Sequence, residues 1–477
     1  MSSRTPAGSS TLLKQTTSRC PVCGTKCPAR VVKRGGQVHM ERTCALHGDF
    51  SACLASDERF YWLAQGSDDN RSGSCCSGGA CCSAEGAPAG TLGRNAAGRE
   101  EGPFEVLSTC LALIEIVNSC NLACPTCYAD SPIGTGMKVD AVPLEEIQAR
   151  VQGVVDRKGG IEILQLSGGE PTLHPQLFEL CAWLKAHPKI DFTLINTNGV
   201  LLAKDPDFAK RLNAAFQGTG VQLYLQFDGV QSAGQKALRG GDLRAMREQA
   251  LANCAAADLP VTLAMAVTSD NLPNLWDAVS YGLGQTSVHG ITFQPVFESG
   301  RGFAASARAP QDAAAAASPF QKVVRAKTDR LNTADILLNV VAQSGGKLKF
   351  EDFTPLPCGD PNCATIGYLI RQGVNVWPVS QFLDFTQLQG FLQDKMHYTL
   401  DDLAKCGCDN TELGELLKLM ERTRSMAFRI MVKPFMDAWT WDEDRIDRCC
   451  THVIRPDGKL DSFCRYYSGF PDAKLAP

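Results

Sequence analysis

A group of three cysteines directly after an apolar run constrains this chain more than any other feature. Cys120, Cys124 and Cys127 follow residues 111–117, a run with the length and composition of a buried strand. Three thiolates on a short loop at the end of a strand can hold three irons of a 4Fe-4S cube. The fourth iron then lacks a protein ligand, so the spacing predicts a place where a small molecule binds and accepts an electron. The alternative is a zinc knuckle, although a zinc site usually has paired C-x2-C units and four ligands.

The spacing C-x3-C-x2-C, with the aromatic residue Tyr128 directly after the last cysteine, resembles the signature of the radical S-adenosylmethionine (radical SAM) enzymes. The resemblance implies that Cys120, Cys124 and Cys127 are the catalytic metal ligands and that the open iron binds the amino and carboxylate groups of SAM. It further implies that electron transfer cleaves SAM to methionine and a 5′-deoxyadenosyl radical. This radical abstracts hydrogen from an unreactive C–H bond.

From about residue 109 to 296, strand-like and helix-like segments alternate, which predicts an α/β fold with a parallel sheet. Helical patterns begin near Pro143 and run from Asp242 to Ala257. Six strand–helix units match the partial, TIM-like (β/α)6 barrel that the resemblance implies, and we assign this barrel to residues 109–300. The strands are expected at 111–117, 161–166, 191–196, 221–227, 260–267 and 288–294.

A glycine-rich motif, Gly168-Gly169-Glu170-Pro171, follows the second predicted strand at the end where barrel folds place ligand sites. Glycines let the backbone approach a ligand closely, and Glu170 can balance a cation. In the radical SAM family the corresponding segment contacts the amino group of SAM. The alternative is that the Gly-Gly pair only forms a turn.

Polar residues also end the later predicted strands, and we expect them to face SAM or substrate in the barrel mouth. Hydrogen-bonded turns that use Asn-Gly and Asp-Gly are the alternative. The residues assigned to cofactor binding are Tyr128, Gly168, Gly169, Glu170, Pro171, Asn196, Asn198, Gln226, Asp228 and Gln294.

Residues 1–63 form a small head with two metal knuckles. A C-x2-C knuckle at Cys20 and Cys23 precedes a C-x2-H knuckle at Cys44 and His47. Paired knuckles predict a tetrahedral mononuclear site, either zinc-ribbon-like or rubredoxin-like. The fourth ligand is either His47 or Cys27, and thiolates suit zinc and iron alike. The alternative is a set of unliganded surface thiols.

The C-terminal region, residues 320–477, contains cysteines that predict an auxiliary 4Fe-4S cluster. A Pro-Asp-Gly turn at 456–458 would fold Cys464 back toward Cys450 in a hairpin. The predicted ligands are Cys358, Cys363, Cys450 and Cys464, with Cys408 as a competing ligand and Cys406 or Cys449 as spares.

A Gly/Ser-rich linker, residues 64–108, joins the head to the barrel and carries two Cys-Cys pairs. Cys76 and Cys81, together with Cys110 before the first strand, predict the ligands of a second auxiliary cluster. The alternatives are a soft-metal trap in the linker or a segment without ordered structure.

Motifs along the rest of the chain narrow the resemblance to the tetraether lipid synthase branch, whose relatives include proteins labelled pterin methyltransferases. This resemblance implies one or two auxiliary 4Fe-4S clusters, a rubredoxin-like iron or zinc site, and C–C coupling of lipid hydrocarbon chains. One departure is that Cys-Cys pairs replace the separated cysteine triplet of the family, which bears on the second auxiliary cluster. The rival hypotheses are a radical SAM methyltransferase acting on a pterin-like heterocycle and a non-enzymatic metal-binding or redox-sensing protein. The motifs are the Cys-Pro-x-Cys head and residues 109–115, 224–229, 293–296 and 357–363.

The composition limits the compartment and the partners. The net charge is −4 without a basic stretch, which gives no support for nucleic-acid binding. No apolar run of about 20 residues exists, and the N-terminus lacks the apolar core of a secretion signal. We therefore expect a cytoplasmic protein in which most of the 22 cysteines that are not core residues bind metal. The expected partners are a small-molecule or lipid substrate, with peripheral membrane contact in the lipid case, and a flavodoxin- or ferredoxin-type electron donor.

Overall fold

The strands of the protein form two sheets, one in the head and one around the barrel. The structure, a computed structural model, describes residues 10–61, 109–301, 324–327, 330–356, 359–383 and 410–468. The strands are β1 Thr11–Arg19, β2 Lys26–Arg34, β3 Gln37–Cys44, β4 Gly48–Ala55, β5 Leu111–Val117, β6 Ile161–Gly168, β7 Ile190–Thr197, β8 Val221–Gln226, β9 Val261–Val267, β10 Val288–Pro295, β11 Val324–Lys327, β12 Thr354–Pro355, β13 Thr365–Gln372, β14 Asn375–Pro378, β15 Met426–Val432, β16 Thr451–Ile454 and β17 Leu460–Ser462.

The head sheet has the order β1-β2-β3-β4-β11, in which the first four strands are antiparallel and β11 is parallel to β4. Burial alternates along β2 and β3, because successive side chains of a strand point to opposite faces. Val31, Val38 and Met40 lie on the buried face. The head therefore has a small core of its own.

The six strands β5 to β10 are parallel neighbours in chain order, which confirms the α/β fold expected from the sequence. Five of the six lie within one residue at each end of their predicted positions, whereas β6 runs on to Gly168. Of these, β5 and β9 are nearly continuous apolar runs, because a parallel sheet is covered on both faces, whereas β8 alternates between apolar and more polar residues.

Helices cover the outer face of the barrel sheet. The first, α1 Leu144–Lys158, buries Ile147, Val151 and Val154 at helical spacing, and ends where Gly159 adopts a left-handed conformation at φ 81°. The others are α2 Leu177–Ala186, α3 Val200–Lys204, α4 Pro206–Ala215, α5 Ser232–Arg239, α6 Arg244–Ala256, α7 Leu275–Leu283, α8 Thr333–Gln343, α9 Glu412–Thr423, α10 Glu443–Asp447 and α11 Phe463–Tyr466.

The C-terminal region extends both edges of the barrel sheet. At one edge β15 pairs in parallel with β10, and β13 pairs antiparallel with β15. At the other edge β16 pairs in parallel with β5 and forms an antiparallel hairpin with β17 across the predicted Pro-Asp-Gly turn. The cysteines of this region are therefore brought to the barrel itself.

The head packs on the segment that connects β15 to β16. Lys14 forms an ion pair with Asp442 at 2.6 Å, and the Ser18 hydroxyl donates to the Trp441 carbonyl at 2.5 Å. Buried Arg42 donates to the Trp439 and Ala438 carbonyls at 2.8 and 3.0 Å. The head thus supports the segment that directly precedes Cys449 and Cys450.

No helix among the described residues has the length and apolar character needed to cross a bilayer.

Candidate active site

The inner face of the barrel sheet lines a cavity of about 490 Å³, within the size range of small-molecule sites. Cys120, Cys124 and Cys127 line it beyond the carboxyl end of β5. Cys110 and Cys450 line it at the opposite end of that strand. The cavity therefore has thiols at both ends.

The loop with the three cysteines is held by the backbone on both sides. The Cys120 amide donates to the Pro132 carbonyl at 2.8 Å, and the Cys120 carbonyl accepts from Gly134 at 3.0 Å. Arg301 donates through Nη1 to the Cys124 carbonyl at 2.7 Å and through its amide to the Cys127 carbonyl at 2.9 Å. Burial raises the pKa of the Cys120 thiol to about 11, so its deprotonation requires a bound metal.

These three thiols fit a cluster better than a single ion. Among the described residues, only a group in the head brings three or more ligand atoms within 4.8 Å of one another. The thiols of the barrel loop therefore stand wider apart than the ligands of one ion. This wider spacing agrees with a multi-iron cluster.

Gly168 and Gly169 are required by close approach of β6 to the start of the cysteine loop. A Cβ at Gly168, where φ is 119°, would lie 2.2 Å from the Val117 carbonyl oxygen. A Cβ at Gly169 would lie 2.0 Å from the Ser119 carbonyl oxygen. Both residues also line the cavity. The pair therefore sets the position of the loop, in addition to any contact with SAM.

Glu170 is buried and ties the ends of β6 and β7 together. Its Oε1 accepts from the Thr172 and Thr197 hydroxyls at 2.6 and 2.7 Å, and its Oε2 accepts from the Asn198 amide at 2.8 Å. Burial raises the pKa of Glu170, and these hydrogen bonds oppose that rise. Pro171, by contrast, begins a short 3-10 helix and does not line the cavity, so its assignment to cofactor binding is not supported.

Amides and hydroxyls at the strand ends form two hydrogen-bonded networks along the cavity wall, one around Ser167 and one around Asn198. Asn196 Nδ2 donates to the Ser167 hydroxyl at 3.0 Å, and that hydroxyl lies 3.2 Å from the Tyr128 hydroxyl. Asn198 Nδ2 donates to Asn121 Oδ1 at 2.6 Å and lies 3.7 Å from Cys120 Sγ. The second network therefore reaches the cysteine loop.

Asp228 has a different role from the one expected. Its buried carboxylate does not line the cavity but binds Arg239 through two hydrogen bonds of 2.6 and 2.9 Å. At φ 62° the residue has a left-handed backbone conformation, and residues 227–229 do not form the hydrogen-bonded turn of the alternative interpretation. Arg239 lines the cavity and interacts with the Cys124 thiol. Asp228 thus acts by holding a cation beside the cysteine loop.

Sequence reasoning missed both Arg239 and Arg247. Arg239 ends α5, where a basic residue is ordinarily explained by the helix dipole. Arg247 is buried in α6 and donates to the Asn198 carbonyl and, at 2.8 Å, to Gln226 Oε1. Burial lowers the pKa of Arg247 to about 10. The one sequence feature that could have indicated Arg247 is an arginine at a helix position that is otherwise apolar.

Gln226 and Gln294 both line the cavity as predicted.

In the head, Cys20, Cys23, Cys44 and His47 form the group whose ligand atoms all lie within 4.8 Å of one another. His47 Nδ1 lies 3.6 Å from both Cys20 Sγ and Cys44 Sγ, and Cys23 Sγ lies 3.9 Å from Cys44 Sγ. These separations fit a tetrahedral zinc or iron ion. Cys27 instead lies against the Thr25 carbonyl at 3.3 Å, which favours His47 as the fourth ligand.

The structure adds Cys449 to the C-terminal thiols without removing Cys450, since Cys450 acts on the Cys449 thiol and its Sγ lies 3.3 Å from the position that a Cβ on Gly359 would take. Burial raises the pKa of Cys449 and of Cys464 to about 12, with the charge of Cys363 among the further causes for both. Cys449, assigned as a spare, therefore lies near Cys363 and Cys464. Cys450 packs with Cys110, and its carbonyl accepts from Leu111 at 3.3 Å. Cys76, Cys81, Cys358 and Cys408 lie outside the described residues.

Comparisons with known proteins agree with this geometry. Residues 114–280 match the family model of the Radical SAM superfamily, and residues 12–56 match the HMPTM N-terminal zinc ribbon domain. A 7,8-dihydro-6-hydroxymethylpterin dimethyltransferase of Methanocaldococcus jannaschii is 25% identical over an alignment that covers 95% of this chain and 93% of that protein. Mycofactocin maturase MftC of Mycobacterium ulcerans is 32% identical but is aligned over only 34% of this chain and 41% of that protein.

Among solved structures, SuiB of Streptococcus suis aligns with a TM-score of 0.32 and 15% identity, covering 39% of this chain and 40% of that one. A complex of anSMEcpe with AdoMet and the Kp18Cys peptide aligns with a TM-score of 0.33 and 16% sequence identity, and the alignment covers 61% of this chain and 85% of that one. The family matches and the cysteine loop together establish a radical SAM domain behind an N-terminal zinc ribbon.

Proposed function

We propose that this radical SAM enzyme methylates an inert carbon of a small, pterin-like heterocycle, in that the hydrogen of the carbon leaves to 5′-deoxyadenosine and a methyl donor of the sulfonium class, consumed in the reaction, supplies the methyl group. The observation that carries the proposal is the alignment with the pterin dimethyltransferase, which spans 95% of this chain and includes the head as well as the barrel. The relatives reported above do not show the lipid C–C coupling favoured by the sequence, so it becomes the second candidate.

Cys120, Cys124 and Cys127 are the residues proposed to hold the catalytic 4Fe-4S cluster. When bound, this cluster and SAM supply a 5′-deoxyadenosyl radical able to abstract hydrogen from carbon. Glu170 Oε2 accepts one hydrogen bond from the chain and has a second lone pair that suits an ammonium group. Arg239, fixed by Asp228 beside Cys124, suits a carboxylate. These two charges would orient the two ends of the methionine part of SAM.

The cavity wall offers a heterocycle many hydrogen-bonding partners. Gln226, Gln294, Asn196 and Gln165 line it, and Gln294 Nε2 donates to the Tyr224 hydroxyl at 3.1 Å. Side-chain amides both donate and accept, which matches the alternating donors and acceptors at the edge of a pterin. Such a wall would orient a flat polar ring inside the barrel.

The remaining thiols are proposed as ligands of auxiliary clusters. Cys363, Cys449 and Cys464, with Cys358, form one set, and Cys110 with Cys450 forms part of a second at the far end of the cavity. Arg445 interacts with the Cys363 thiol and would offset thiolate charge there. A flavodoxin- or ferredoxin-type protein remains the proposed source of electrons.

One observation favours the second candidate, coupling of lipid chains. The same cavity is also lined by apolar side chains, among them Leu111, Leu113, Ile163, Leu194 and Met431. An aliphatic chain would pack against these apolar side chains. It would, however, leave the side-chain amides of the cavity wall without a hydrogen-bonding partner on the ligand.

Deuterium transfer separates the two candidates. The anaerobically reconstituted full chain is given SAM, a reductant and either 7,8-dihydro-6-hydroxymethylpterin deuterated on its carbons or a phospholipid with deuterated chains. We expect deuterated 5′-deoxyadenosine with the pterin alone. Deuterium from the lipid alone would replace the first proposal with the second. SAM cleavage without transfer from either substrate would refute both assignments.

A further inference from the structure

We propose that Arg429 anchors an anion subsite inside the barrel cavity and that the substrate carries a phosphate group there. The inference rests on the proposed function, because it concerns the substrate class of the same cavity. No motif in the sequence around Arg429 indicates this role.

Arg429 reaches the cavity because of its place on β15. Residues 429, 431 and 433 alternate along the chain and all line the cavity, as expected for one face of a strand. The register pairs Arg429 with Gly290 on β10. A Cβ at Gly290 would lie 3.0 Å from the Arg429 Cβ and 2.6 Å from its carbonyl oxygen. The glycine thus lets β15 approach closely and leaves the adjoining position on the wall without a side chain.

The guanidinium has unused hydrogen-bonding capacity. Its Nε is buried without a hydrogen-bond partner, and it interacts with the Tyr368 phenol. Within the described ranges no carboxylate pairs with Arg429, whereas Arg239 in the same cavity has Asp228. A buried donor of a charged group that stays unpaired costs free energy, which an incoming anion would recover.

A second cation, Lys433, and a phenol, Tyr224, line the same cavity as Arg429. Burial raises the pKa of Tyr224, while the charges of Arg429 and Lys433 both act in the opposite direction. Both cations therefore lie near this one phenol, which also receives the Gln294 amide at 3.1 Å. Lys433 donates to the Thr451 hydroxyl at 2.8 Å, and its positive charge adds to that of Arg429 in the cavity.

A dianion suits this arrangement better than a carboxylate. Two cations can balance the two charges of a phosphate monoester, and the arginine fork binds phosphate oxygens through parallel hydrogen bonds. Glu170, which also lines the cavity, does not compete for Arg429, since it is bound by Thr172, Thr197 and Asn198. A phosphorylated heterocycle and a phospholipid headgroup share this chemistry.

Binding to matched probes tests the subsite without turnover. The full, reconstituted protein is titrated anaerobically with 6-hydroxymethylpterin and its phosphate ester, and with dioctanoylglycerol and dioctanoyl phosphatidic acid. We expect the phosphorylated member of one pair to bind at least tenfold more tightly than its neutral partner. The pair that shows this preference identifies the source of the phosphate. Equal affinities within both pairs would overturn the proposal.

Three variants assign the preference to the side chain. Arg429→Gln is expected to reduce the phosphate preference to about onefold, Arg429→Lys to retain part of it, and Arg211→Gln, a surface control on α4, to leave it intact. A preference that survives in Arg429→Gln would contradict the assignment. If Arg429→Gln does not fold, full preference in a folded Arg429→Lys variant would show that charge alone suffices and would remove the arginine fork from the proposal.

Two further readouts distinguish a phosphate subsite from a charge-balancing role of Arg429 at a cluster. If Arg429 balances the thiolates of Cys110 and Cys450, Arg429→Gln would shift the cluster spectrum and leave the phosphate preference unchanged. Such a result would refute the subsite. A wild-type protein that prefers phosphate but transfers no deuterium would refute the proposed reaction and leave the subsite standing.

Discussion

The head and the barrel mouth both present cysteine thiols, but those of the head enclose one position whereas those of the barrel mouth border a cavity. In the head, Cys20, Cys23, Cys44 and His47 surround one position with separations of 3.6 to 3.9 Å for the measured pairs. In the barrel mouth, three cysteines share one loop and border a large cavity. Four protein ligands leave no place for a substrate, whereas three leave one open. The number of ligands, more than their identity, separates a structural metal site from a reactive one.

The two sites also differ in how they are assembled. The candidate ligands of the head all lie between Cys20 and His47, in or beside the turns that join β1 to β2 and β3 to β4. The barrel loop depends on residues far away in the chain, among them Gly169, Arg239 and Arg301. Damage to the barrel should therefore reach the loop, while the head should keep its metal.

The largest effect is expected from Cys124→Ala. Loss of one of three thiolates should abolish formation of 5′-deoxyadenosine and leave about one metal per chain in the head, because the two sites share no ligand. Iron analysis and quantification of 5′-deoxyadenosine measure both. Cys181→Ala, a buried thiol in α2 without metal neighbours, is the matched control and should cost about 1 kcal/mol of stability without loss of cleavage. Cleavage retained by Cys124→Ala would end the catalytic assignment.

A substitution in the head should have the opposite outcome, with loss of the metal of the head and retention of SAM cleavage. Cys44→Ala should remove about one equivalent of metal and unfold the head, since structural sites of this kind depend on their ion to fold. Because the head packs on residues 438–442, iron at the C-terminal thiols should fall in part while SAM cleavage persists. Cys53→Ala changes the same residue type on β4, outside the ligand group, and should retain the metal. Metal retained by Cys44→Ala would make Cys27 the ligand in its place.

The strands and the metal knuckles could be predicted from the sequence because their signals are local. A parallel strand buried on both faces is an apolar run, and β5 and β9 have this form. A metal knuckle is likewise read from spacing over a few residues, as at Cys20 and Cys23. Neither signal depends on the rest of the fold.

The contacts around these elements could not be predicted in the same way. Cys449 and Cys450 are adjacent, and only the pairing of β16 with β5 decides which one joins Cys110. A shift of one residue exchanges the two faces of a strand, and nothing in the local sequence fixes that register. Arg239 and Arg429 were missed because their partners come from other elements.

A smaller effect is expected from Gly169→Ala. The added Cβ would lie 2.0 Å from the Ser119 carbonyl oxygen, so the cysteine loop must move, at a cost of about 1–3 kcal/mol. Iron per chain and SAM cleavage should both fall, and the metal of the head should not. Gly241→Ala is the control, since a Cβ at that position meets nothing within 4 Å. Equal iron content in the two variants would mean that the loop tolerates displacement.

The smallest effect is expected from Tyr467→Phe, which tests how finely the loop is positioned. The Tyr467 hydroxyl donates to Glu115 at 2.7 Å, and its ring packs at 4.8 Å against Tyr128, next to Cys127. Loss of the hydroxyl should cost about 1.5 kcal/mol of unfolding free energy, because the acceptor is charged, while the ring contact remains. Tyr466→Phe removes a hydrogen bond of 3.0 Å to the same carboxylate without a contact to Tyr128 among the described ring pairs, and serves as the control. Thermal unfolding and the SAM cleavage rate are measured for both. Cleavage rates that are unchanged in both variants would indicate that ring packing is enough to position the loop. A fall of more than twofold in the cleavage rate of Tyr467→Phe alone would show that the barrel mouth, unlike the head, depends on single hydrogen bonds.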